Sequence, residues 1–265
     1  MGVDGLVGGG VPGLRQPRLA EMIAAILRDR MLSGEIEDGG ELPKQELLLE
    51  EFQVSVPSLR EALRILETEG LITVRRGNRG GAVVHLPKVH SAAYMLGLVL
   101  QTRDVGLVDL GEALRHLEPV CAALCCELED RGETIVPRLW EIHERTVAAV
   151  DDELEFVRFS RQFHDALVDG CGNETMIVLV GTLERLWSAQ EQAWAERASQ
   201  EGLFPGKQVR TSGLRAHEKL IGLIEAGDVD RVSRFARKHL ESTQYYALEA
   251  NQDAQVKASP LRTSA

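Results

Sequence analysis

Apolar residues recur at helical spacing in three stretches before residue 70, alternate briefly at strand spacing, then return to helical spacing for the rest of the chain. In residues 18–33, Leu19, Ile23, Ile26, Leu27 and Met31 make one stripe, the mark of an amphipathic helix, and Gly34 ends it. Residues 44–52 and 55–69 carry two further stripes with Gln53-Val54-Ser55 between them, which predicts helix, tight turn, helix. Ser55 suits an N-cap, and Pro57 falls in the first turn, where its missing N–H costs nothing. Leu59, Leu63 and Leu66, with Ala62 beside them, form the inward face, which leaves Ser55, Ser58, Arg60 and Arg64 facing outward or sideways. Gly70 stops the helix. Leu71–Val74 and Ala82–Val84 are β-rich runs flanking a tip, Arg75–Gly81, that holds three arginines and three glycines.

Past Pro87 the pattern predicts an almost purely helical remainder. Residues 88–101 are mildly apolar and read as a short helix within a linker, 87–103. Six helices follow at about 104–130, 133–150, 152–169, 173–198, 206–226 and 228–250, separated by Gly132, Gly170 to Gly172, Gly202 to Gly206, and Gly227. Glu133, Asp152, Asn173 and Asp228 supply caps or negative charge at helix starts. The fold class is therefore mainly α: a winged helix-turn-helix over 18–86 with a small β-hairpin wing, then an antiparallel bundle of six to seven helices over 104–250. Residues 1–17 and 251–265 are expected to be disordered tails.

Helix, turn, helix and basic wing together point to DNA, because glycines allow close backbone approach and arginines suit phosphate and groove contacts. The formal charge of −11 argues against non-specific nucleic-acid binding. That charge is uneven, at net −1 over residues 15–90 and −9 over 91–265. No apolar run is long enough for a membrane span, and the glycine-rich start lacks the basic and apolar segments of a signal peptide, so a cytoplasmic protein is expected. Cys121, Cys125 and Cys126 crowd one predicted helix, so these and Cys171 read as reduced, buried thiols.

The first domain resembles the DNA-binding domain of the GntR family of bacterial transcription regulators. The resemblance rests on Leu42-Pro43, Val54-Ser55, Arg60-Glu61-Ala62-Leu63, Glu69-Gly70-Leu71 and Gly80. The second domain resembles the all-helical ligand-sensing (FCD) domain of the FadR-like branch through Phe163-His164, Gly172-Asn173, His217, Gly227-Asp228 and His239-Leu240. The resemblance implies a homodimer on a short palindromic operator. Ser55, Pro57, Ser58 and Arg60 would meet the double-stranded DNA, and Lys44 and the wing residues Arg75, Arg76, Asn78, Arg79 and Gly80 would contact backbone or groove. Two cations usual in the family are replaced here by Val56 and Glu46, which moves the expected affinity towards Arg60 and the wing.

For the helical domain the resemblance implies a metal site of His164, His217 and His239 for Zn2+ or another divalent ion such as Ni2+. Ser160 stands where the family has an aspartate. An arginine usual on the first bundle helix is Leu114 here, so Arg115 and Arg161 are the cations considered for an anionic effector. The expected function is a ligand-responsive regulator, not an enzyme, sensing a small carboxylate through the metal. One alternative is a metal-free sensor of a longer apolar acid or acyl thioester. A remote one is a metal-dependent hydrolase, which would need a carboxylate base near the histidines.

Overall fold

The computed structural model describes residues 16–75 and 81–258. Among these are ten helices and one two-stranded sheet, divided into two compact units that part between Lys88 and Val89. No described helix is long and apolar enough to cross a membrane.

The first unit is a winged helix-turn-helix. It contains α1 (Gln16–Leu32), α2 (Gln45–Phe52), α3 (Val56–Thr68), β1 (Ile72–Arg75) and β2 (Gly81–Val84). The α1 stripe buries Ile23, Leu27 and Met31 against Leu59, Ala62 and Leu66 of α3. Gln53 closes the turn between α2 and α3 in the left-handed region, at φ 50°. Gly70 does the same after α3 at φ 75°, where a side chain would be strained. The hairpin is antiparallel, with Ile72 opposite Val84 and Arg75 opposite Gly81. Its other edge is occupied as well: Glu41 bridges to Val83, and Leu42 N–H donates to the Ala82 carbonyl at 2.8 Å. The residue before the Leu-Pro pair thus makes a single isolated bridge to β2.

The second unit packs α4 (Val89–Thr102), α5 (Leu107–Glu127), α6 (Ile135–Ala148), α7 (Glu153–Asp169), α8 (Glu174–Gln200), α9 (Lys207–Glu225) and α10 (Val229–Glu249). Helix α5 is the most enclosed, burying Leu114, Glu118 and its three cysteines. Asp152, Asn173 and Asp228 each cap a helix by accepting from the backbone N–H three residues on. The four cysteines are buried free thiols, and burial pushes Cys125 up to about 12.

Two expectations need correction. Residues 87–103 are not a bare linker, because α4 packs along α8 within the second unit and buries Ala93 and Gly97. A side chain at 97 would crowd its neighbours, because a Cβ would lie 2.9 Å from the Leu186 side chain and 3.0 Å from the Ala258 backbone, which would have to give way. Residues 251–258 are not a free tail either. Leu107 N–H donates to Ala254, Val256 N–H donates to Val105, and the Val256 side chain is fully buried. The segment's polar composition hid a pairing made by its backbone. Residues 259–265 lie outside the described residues.

Candidate functional site

The first unit presents α3. Ser55 accepts from the Ser58 N–H at 3.4 Å, and the two hydroxyls are 3.0 Å apart. Ser58 is therefore turned inward and buried, not outward as expected, because it completes the cap. Ser55, Pro57 and Arg60 are exposed, as is Lys44 at the start of α2. Arg64 is held by Glu61 through two hydrogen bonds, at 3.0 and 2.7 Å. Arg75 pairs with Glu41 at 3.2 Å, and both side chains are more than 60% exposed, so the pair is weak and yields easily to a phosphate. Exposed Val56 and Glu46 supply no cation to this face. Arg76, Asn78, Arg79 and Gly80 lie outside the described residues.

In the second unit three helices bring His164 (α7), His217 (α9) and His239 (α10) together. One ring nitrogen from each lies within 4.8 Å of the others, and all three residues are buried. The His164 and His239 rings are stacked at 5.3 Å, and His217 stands edge-on to both. Phe163 stacks on His217 at 3.9 Å and fixes its plane. Glu118 of α5, 1% exposed, sits 2.7 Å from His164 Nδ1. An Nδ1–H donating to that carboxylate leaves Nε2 as the lone pair His164 can offer. Burial lowers His164 to about 3, and burial with neighbouring cationic groups depresses His217 and His239 well below the usual histidine value. All three imidazoles are thus neutral at physiological pH, the form that binds metal. Both nitrogens of His217 and Nε2 of His239 are buried without a hydrogen-bond partner. Buried polar atoms are rarely left so, and a divalent ion among the three would take one nitrogen from each ring, satisfying His239 Nε2 and one of the two nitrogens of His217. The residues fit zinc or nickel, with Glu118 orienting the first ligand.

A cavity of about 500 Å³ opens on His217 and His239. Ser160, one helical turn before His164, lines it. Most of its wall is apolar, with Phe156, Trp194, Phe204, Phe235 and Tyr246 prominent. The cations expected from the sequence do not line it. Arg115 is half-buried elsewhere on α5. Arg161 is buried between Glu184, with which it makes a short ion pair, and Glu191 at 3.4 Å. Two carboxylates already occupy that guanidinium, whereas Arg210 and Lys238 do reach the cavity. The sequence signal for them was spacing: Arg210 precedes His217 by seven residues, two turns on one helix face, and Lys238 adjoins His239. His143 is buried, 6.4 Å edge-on from His217, and faces Glu218 at 3.5 Å.

Comparison with known proteins accounts for both units. Residues 19–84 match the family described as bacterial regulatory proteins, gntR family, and residues 109–242, half of the chain, match the FCD domain. The HTH-type transcriptional repressor NanR of Klebsiella aerogenes is 26% identical over 234 residues, which cover 86% of this chain and 85% of that protein. NanR of Enterobacter sp. (strain 638) is 26% identical over 235 residues, with the same coverage. Among solved structures, a GntR protein of Streptococcus agalactiae superposes with a TM-score of 0.64 at 22% identity, over 86% of this chain and 99% of that one, a likeness of fold.

Proposed function

Because this chain belongs to the GntR family of bacterial regulatory proteins and carries an FCD domain, we propose that it is a cytoplasmic transcription regulator switched by a small carboxylate bound at a three-histidine metal site. The observation that carries the reading is the set of buried, neutral imidazoles with unsatisfied nitrogens at the edge of a ligand-sized cavity. The protein would act as a homodimer on a palindromic operator, since a two-fold assembly reads two half-sites. Repression is the mode its NanR relatives suggest.

His164, His217 and His239 would hold the ion, zinc or nickel, which supplies a Lewis-acid anchor for a carboxylate oxygen. Ser160 bears on affinity. With no carboxylate among the ligands, three neutral imidazoles leave the charge of a dication countered only from behind His164, by Glu118. That weakens metal binding and strengthens the pull on an anionic effector. Glu118 holds His164 in the required tautomer, and Phe163 holds the His217 ring. On the DNA side, Arg60 and Ser55 at the exposed start of α3 would enter the major groove. Lys44 and the wing, with Arg75 released from Glu41, would bind backbone. The effector switches the protein only by binding the DNA-competent and incompetent states with different affinity.

The test uses the full-length protein. Elemental analysis should find zinc or nickel in the wild type and none in a His164→Ala/His239→Ala variant. That variant should retain operator binding by fluorescence anisotropy and lose its response to carboxylates. Wild-type protein that takes up no metal when zinc is supplied defeats the metal reading and leaves a metal-free acid sensor. The family consists of regulators, not enzymes.

A further inference from the structure

The cavity has a second end. Helix α9 carries Arg210 and His217 seven residues apart on one face, about 10 Å along the axis. Helix α10, which follows after a three-residue turn, carries His239 and Tyr246 at the same spacing. All four line the one cavity. Two successive helices joined so closely run antiparallel, so the histidines lie together and Arg210 and Tyr246 lie together, two turns away. The side chains of Phe156, Trp194, Phe204 and Phe235 supply the apolar wall.

Arg210 is only 9% exposed. Its Nη1 donates to Glu153 and to the Pro205 carbonyl, at 3.3 and 3.2 Å. Its Nε–H is buried with no acceptor. Glu153 is about one-third exposed, so water screens it and it neutralises the guanidinium only in part. Phe204 lies 5.6 Å beneath the guanidinium carbon and holds the plane. The other buried carboxylate on the cavity wall, Glu191, is engaged by Arg161. A short acid at the histidines would leave most of the 500 Å³ and the Arg210 donor to water.

Resting on the reading of this cavity as the effector site, we propose that the effector is an elongated, mainly apolar acid with an anionic group at each end, one at the three histidines and the other on the Arg210 guanidinium. The spacing suits a chain of about eight carbons, matching two helical turns.

Isothermal titration of zinc-supplied, full-length protein with octanedioate, octanoate and butanedioate tests this. Octanedioate should bind about tenfold to a hundredfold more tightly than either of the others, the span of one charge-assisted hydrogen-bonded contact. Arg210→Met should bring octanedioate down to the octanoate level and leave octanoate unchanged, and Arg210→Lys should restore part of the difference. Equal affinity for octanoate and octanedioate in the wild type overturns the two-ended ligand but leaves the effector site standing. So does an octanedioate preference that survives Arg210→Met. If that variant does not fold, the wild-type series decides alone, because affinity that does not rise from butanedioate to octanedioate also overturns it. Binding of none of the three acids overturns both this inference and the carboxylate-effector reading.

Discussion

Replacing Glu118 by glutamine should weaken zinc binding although Glu118 is not a ligand. Its Oε1 lies 2.7 Å from His164 Nδ1, and both residues are 1% exposed, so neither can turn to water for another partner. Carboxylate partners of metal-binding histidines contribute about tenfold to a hundredfold in affinity, or about 1.4–2.7 kcal/mol. Glu118→Gln keeps an acceptor oxygen and loses the charge, so about tenfold is expected. Glu118→Leu leaves the Nδ1–H buried without an acceptor and should reach about a hundredfold. The two variants should also differ from wild type in pH dependence. Burial raises the Glu118 carboxyl above its ordinary value, so without metal it keeps its proton to higher pH than a solvated glutamate does. The metal-bound state needs His164 Nδ1–H donating to an ionised Glu118, so metal uptake expels that proton. Wild-type affinity should therefore rise with pH through the Glu118 titration, by up to about tenfold per unit. Both variants should lack that component. The three imidazoles, depressed below the ordinary histidine range and with His164 near 3, stay neutral and add no slope near neutrality. Chelator competition over a pH series running upward from the ordinary carboxylate range measures both quantities. Wild-type affinity and slope in Glu118→Gln would show that the carboxylate does not set the His164 tautomer.

Three other perturbations address separate parts of the fold. Arg60→Ala should cost about 1–3 kcal/mol of specific operator binding by fluorescence anisotropy while sedimentation shows unchanged assembly; unaltered affinity would refute the placement of α3 in the groove. Ser55→Ala should destabilise the first unit by about 1 kcal/mol, because it removes the α3 cap and leaves buried Ser58 without its hydroxyl partner; an unchanged denaturant midpoint would show that the cap contributes nothing. Gly97→Val should destabilise the second unit by about 1–3 kcal/mol and free residues 251–258 to fast amide exchange, since its Cβ meets Leu186 and the Ala258 backbone; retained protection at Val256 would contradict that packing.

The sequence by itself settled what depends on neighbours along the chain. Apolar periodicity, glycine breakers and the Asp152, Asn173 and Asp228 caps placed the bundle helices α5 to α10 within a few residues of where they form, because a helix's ends and buried stripe are local properties. The winged helix-turn-helix was legible for the same reason. The three histidines were recognisable as a set through family resemblance, since nothing local links residues 164, 217 and 239.

The tertiary structure decided which polar groups already had partners. Arg161 looked available until Glu184 and Glu191, on another helix, proved to hold it. Arg210 drew no expectation from the sequence, and α9 turns it onto the cavity. Ser58 looked outward until its cap drew it in, and residues 251–258 looked loose until their backbone paired with residues 105–107. Glu118 gained its role only when α5 and α7 packed it against His164. Each of these depends on desolvation and hydrogen bonding between distant segments. Composition along one segment cannot encode that, because the cost of burying a charge is fixed by what the rest of the fold places beside it.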